Sequence, residues 1–238
     1  MKLTPINRKR VKYTARKHIQ EHFGQAVKIN IFMIIWQILR VWSGWGVVAL
    51  AAVLATTTTP DTLSSDQGSG NYIGSFIVQT ILAVLVWSTM WAIIDQFRKP
   101  KEASSLGNIL QAFSGRRFLP TFVLALDQRI LIFLWHLCFL VPGFVKRFSY
   151  AQTYYALKMD QLYHRRQGSL TDYITISRRV MYGRKFELFC LELSFIGWHL
   201  LGIFTLGFAY IYIVPYLNTS RVVYSSQVFT LATIEGAR

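Results

Sequence analysis

Residues 186–216, FELFCLELSFIGWHLLGIFTLGFAYIYIVPY, constrain this chain more than any other stretch. They are almost wholly apolar and carry only Glu187, Glu192 and His199 as ionisable groups. A hydrocarbon core of about 30 Å takes roughly 20 residues of helix, so this run is too long for one crossing. Gly202, Thr205 and Gly207 near its middle predict two helices joined by a very tight turn, the second continuing past Pro215 toward Val228. A chain with such a stretch is expected to be a polytopic membrane protein.

Composition sharpens that expectation. The 238 residues are 53% hydrophobic and only 16% charged, yet the formal net charge is +15. A basic balance can serve nucleic acid or a membrane surface. Here Lys and Arg cluster beside the apolar segments, where anionic headgroups of an inner leaflet attract them, so the lipid bilayer is the expected partner and nucleic acid is not. Cys138 and Cys190 both lie inside apolar runs, with no disulfide framework or metal spacing.

Taken in order, residues 1–28 are a basic segment with eight Lys or Arg, placed on the cytoplasmic side. They are too long and polar for a secretory signal, so the first apolar run is expected to remain as an anchor. Val11, Ala15, Ile19, Phe23 and Val27 would line one side of a basic helix on the inner leaflet; a solvated tail is the alternative. Spans are predicted at about 29–55, 72–96, 118–141, 144–158, 186–203 and 206–228, with a cytoplasmic tail at 229–238. Residues 56–71, TTTTPDTLSSDQGSGN, hold no Lys or Arg and are expected to face outward. Asp95 is expected to pair with the basic run Arg98-Lys99-Pro100-Lys101. Pro142-Gly143 should break the helix after the third span, and 118–158 is either two tilted spans or a hairpin that only partly crosses. Ser169 or Thr171 would cap an amphipathic helix carrying Ile174, Ile176, Val180 and Met181. The fold class is thus an all-α integral membrane protein: a six-helix transmembrane bundle with inner-leaflet amphipathic helices and both termini cytoplasmic.

The C-terminal half also resembles a known bacterial family. Phe148-Ser149-Tyr150 after Pro142-Gly143, then Ser177-Arg178-Arg179-Val180-Met181-Tyr182-Gly183, carry the first part of the likeness. Leu193-Ser194-Phe195-Ile196-Gly197-Trp198, Phe204-Thr205-Leu206-Gly207 and Pro215-Tyr216 carry the rest. This order is similar to an integral-membrane family known as domain of unknown function nine-seven-five, over roughly residues 118–228. Where family members usually have an Asp-Asn-Pro-like turn, this chain has Met159-Asp160-Gln161. The resemblance implies a bacterial cytoplasmic-membrane protein and carries no chemistry with it.

Charged groups inside the apolar runs are the candidate site residues, because charge within a span is costly and often functional. Arg40 shares a helical face with Gln37, Ser43 and Gly44, expected to point into the bundle. Asp127 and Arg129 sit two apart, about 200° around a helix, and cannot simply pair with each other. Glu192 and His199, seven apart, fall on one face. Snorkelling of Arg40, or an acid paired with Arg40 or Arg129 to fix packing, is the structural alternative. His136 is expected to be a hydrogen-bonded core residue rather than a ligand. No phosphate-binding Gly-rich loop and no nucleophile elbow is present; no metal or cofactor is expected. Two functions remain open: a non-ATPase transport or cell-envelope accessory protein binding a lipid, ion or amphipathic peptide between helices, or an immunity protein protecting against a membrane-active peptide.

Overall fold

A computed structural model describes residues 4–57, 72–98, 106–138, 140–163 and 169–236. Most of the 56–71 loop, Lys99, Lys101, Arg165 and Arg166 lie outside the described residues. Among the described residues the chain is all-helical.

Asn7 caps α1 (Arg8–Glu21), its side chain accepting the Lys9 N–H at 3.0 Å. Of the apolar side expected for this helix, Val11, Ala15 and Ile19 are buried, while Phe23 and Val27 lie beyond a break at His22 and Phe23 is exposed. Helix α1 packs on the protein itself, chiefly the last helix, rather than on lipid or in water. A strap ahead of it is tied down as well: the Arg184 guanidinium donates to the Thr4 carbonyl at 2.8 Å, and the Ile6 N–H reaches Glu187 at 3.4 Å.

Next come α2 (Phe23–Ile29) and α3 (Ile31–Thr57), bent by 69° at Asn30. The first span is therefore not straight. Asn30 is fully buried, donates to the Ala26 carbonyl at 2.9 Å and accepts from the Asn218 amide at 2.7 Å. A side chain that bonds its own preceding turn offers the backbone an alternative to continued helix, and here a distant partner holds that alternative in place.

Helix α4 (Tyr72–Arg98) leads to a single turn, α5 (Leu106–Ile109), and a 3₁₀ turn at Gln111–Phe113. Ser88 fastens this connection, donating to the Ile109 carbonyl at 2.7 Å and accepting from the Ala112 N–H at 3.1 Å. Helix α6 (Gly115–Cys138) and α7 (Leu140–Ser149) form a close pair. The helix ends at Cys138 and a new one starts at Leu140, close to the expected break; Pro142 and Gly143 lie in the first turn of α7, where a missing N–H costs nothing. Gly143 permits the close pairing, since a Cβ there would sit 2.6 Å from the His136 ring. At 10 residues, α7 reaches only about 15 Å. The return leg expected at 144–158 is therefore not one span: it breaks at Tyr150–Gln152 and continues as α8 (Thr153–Tyr163).

Ser169 starts α9 (Leu170–Val180), its N–H held by Asp172 at 2.8 Å. This helix buries Tyr173, Ile174 and Ser177, packs against α8, and leaves Ile176 exposed. The long apolar run divides into α10 (Lys185–Leu193), α11 (Ile196–Phe204) and α12 (Tyr210–Gly236). The tight turn falls where the glycines predict it: Gly207 adopts φ +94°, beside Leu206 at +53°, a region only glycine enters freely. The Trp42 indole donates to the Leu206 carbonyl at 2.9 Å and pins the turn to α3. The break at Ser194–Phe195 is new, and Lys12 donates to the Ser194 carbonyl at 3.2 Å.

The central element is α12. It contacts α1, α2, α3, α4, α9 and α11 and is buried almost continuously from Ile213 to Ser225. Pro215 does not end it. Among the described residues three helical segments are long and apolar enough to cross a membrane: Phe76–Arg98, Gly115–Leu137 and Lys185–Phe204. The bent pair Phe23–Ile29 with Ile31–Gly46 makes four. Trp42, Leu137, Phe204 and Phe208 are among the large apolar side chains these segments and their turns leave exposed, as surfaces facing lipid would.

Candidate binding cleft

Sequence spacing singled out five residues, and the structure distributes them over three places. Glu192, in the last turn of α10, does not meet Arg40 or Arg129. It accepts from Arg221 of α12 at 2.8 Å, both side chains being 28% exposed. The pair borders a cavity of about 210 Å³ walled by Trp87, Met90 and Leu188 and lined by Gln128, Arg147 and Gln152. A second cavity, about 550 Å³, shares Trp87, Gln128 and Arg147 with the first and adds Arg129, Gln79 and His136. Together they form one cleft running from α4 and α6 to α12. Arg129 donates to Gln79 at 2.9 Å, and His136 bonds the Ile132 carbonyl at 2.8 Å.

Three polar atoms of residues lining this cleft are buried and have no partner among the described residues: Gln128 Oε1, Gln152 Oε1 and Arg221 Nε. Gln152 is only 2% exposed. Buried polar atoms are nearly always hydrogen-bonded, and one left unpaired costs about 1–3 kcal/mol. The cavity of about 210 Å³ is room for several waters or a small headgroup. The cleft carries Arg129, Arg147 and Arg221 against a single acid, Glu192, so its field favours an anion.

Arg40 and His199 meet elsewhere. With Gln37, Trp45 and Tyr210 they line an open groove of about 600 Å³ between α3 and α11–α12, and the His199 Nδ1 lies 3.4 Å from the Tyr210 hydroxyl. Arg40 is exposed there rather than turned into the bundle. Glu192 and His199 both face α12, yet they reach Arg221 and Tyr210, eleven residues apart along it. Asp127 points away from Arg129, as the two-residue spacing requires, into a cavity with Lys146 and Arg178.

Sequence reading missed Arg221, Arg147, Gln128 and Gln152. Arg221 is the single Lys or Arg in residues 186–237, which was the available signal. It also misassigned Asp95, which accepts from Lys158 at 2.8 Å and from Gln111 at 3.0 Å. Among the described residues no group of three or more His, Cys, Asp or Glu is placed to hold a metal ion.

With Glu192–Arg221 located on α10 and α12, the C-terminal part can be placed. Residues 144–232 match the family described as Protein of unknown function (DUF975). The likeness seen in the sequence is thereby shown for that region. The DUF975 region begins inside α7 and ends inside α12, so it holds Arg147, Gln152, Glu192 and Arg221. Arg40, Asp127, Gln128 and Arg129 fall outside it. No curated protein and no solved structure matches the chain.

Proposed function

We propose that this protein is a non-ATPase transport or cell-envelope accessory protein of a bacterial cytoplasmic membrane that binds an anionic amphiphile in the cleft around Glu192–Arg221. The observation that carries the reading is the convergence of Arg129, Arg147 and Arg221 on one apolar-walled cleft whose described lining holds one acid, Glu192. The apolar walls suit a hydrocarbon portion, while Arg147 and Arg221 suit its charged end. Glu192 accepts from one terminal nitrogen of Arg221 and so holds the guanidinium at the edge of the cleft.

Native mass spectrometry of protein released gently from membranes tests this. The wild-type protein is expected to retain an anionic amphiphile that both Arg147→Gln and Gln152→Leu release. Neither residue forms an ion pair with a described residue. A wild-type protein with no ligand that either variant removes would sink the proposal and favour the immunity reading, in which the molecule acts through its surface.

A further inference from the structure

On the other side of α7 lies a second site. Consecutive helical residues point about 100° apart, so Lys146 turns away from the cleft that Arg147 lines. It faces a cavity of about 660 Å³ between α7, α9 and the start of α10. Arg178, Arg179 and Lys185 face the same space, with the hydroxyls of Ser149, Thr175 and Tyr182.

Four cations converge there, no acid lines the cavity, and none of the four forms an ion pair with a described residue. Lys146 lies in the field of both Arg178 and Lys185. Like charges held together without a counter-ion repel, and a bound anion relieves that repulsion. The adjoining cavity of about 450 Å³ adds one carboxylate, Asp127, and shares Lys146, Thr175 and Arg178 with the first, so the balance stays strongly positive. Of the lining, Tyr182 is exposed, and Phe144, Val145, Ile176 and Phe186, each within two residues of a lining residue in sequence, are exposed as well. Guanidinium groups and hydroxyls over an anion, with exposed aromatic and aliphatic groups on the same helices, fit a phosphate attached to acyl chains.

We infer that Lys146, Arg178, Arg179 and Lys185 form a stoichiometric binding site for the phosphate of an anionic lipid headgroup. It is separate from the Glu192–Arg221 cleft and does not rest on it.

The test titrates short-chain phosphatidylglycerol, phosphatidylcholine and inorganic phosphate in turn into the full-length protein in a neutral detergent, with bound species counted by native mass spectrometry. The pair Arg178→Gln/Arg179→Gln removes two exposed cations, while Lys9→Gln/Arg10→Gln removes the same charge from exposed positions of α1. A phosphatidylglycerol site is expected that the first pair weakens about 30-fold, at about one factor of five per cation, and that the second leaves unchanged. Equal weakening by both pairs would mean diffuse attraction to net charge and would overturn the site. Equal binding of phosphatidylcholine, or binding of inorganic phosphate in place of the lipid, would overturn the assignment to an anionic lipid.

Discussion

Replacing Lys158 tests how the α4–α8 contact is held together. Its side chain is 3% exposed, and its ammonium donates to Asp95 at 2.8 Å and to Gln111 at 2.7 Å. Asp95 is 24% exposed, so the two partners are unequal. In Lys158→Met the methionine fills the space of the lysine stem. Asp95 can then turn toward the surface, and the main loss is the Gln111 Oε1 left without its donor. That change should cost about 2–3 kcal/mol. In Asp95→Ala the ammonium stays buried with one neutral acceptor, and the cost should rise to about 3–5 kcal/mol. The double variant removes both charges and should cost less than Asp95→Ala alone. Thermal unfolding in one detergent at one scan rate reads this out, at roughly 2–4 °C per kcal/mol for a chain of this size. The reasoning fails if Lys158→Met is the more damaging single change, or if the double variant loses the sum of the two singles.

Asn218→Leu should lower stability by about 1–3 kcal/mol, because it strands the Asn30 Oδ1 in a fully buried site; an unchanged unfolding temperature would show that the amide pair does not hold the α2–α3 bend. His18, outside the membrane-crossing segments, stacks on Phe97 at 3.9 Å. Burial pushes its pKa below the usual 6.5 and the nearby His22 adds to this, while Gln96 and Glu21 work the other way. The unfolded chain then binds the extra proton more readily, so this contribution is present above pH 6.5 and is lost as pH falls from there through the folded value. Unfolding temperature should drop across that window in the wild type and less in His18→Phe; equal slopes would remove His18 as the cause.

Features written into short stretches of the chain were legible in it. The helix start at Ser169, the turn at Gly207 and the apolar side of α1 each depend on residues within a few positions of one another. The divergence of Asp127 from Arg129 also follows from helical geometry alone. The division of candidate residues among three cavities was not legible. Glu192 and His199 share a face, yet what each meets is set by where along α12 it lands.

Hydropathy read from the sequence also placed α12 among the spans, while in the structure it is the buried centre of the bundle and not one of the segments apolar enough to cross by themselves. Its Asn218, Arg221, Tyr224 and Ser225 find partners at the α2–α3 bend, on α10, in the loop before α10, and on α8. Local sequence determined that this chain would be helical, strongly basic and rich in segments able to span a membrane, because propensity, capping and transfer free energy act over one helix at a time. Tertiary structure alone decided which polar groups pair. A buried donor must find an acceptor wherever packing brings one, and here the partners lie 188, 63 and 29 residues apart.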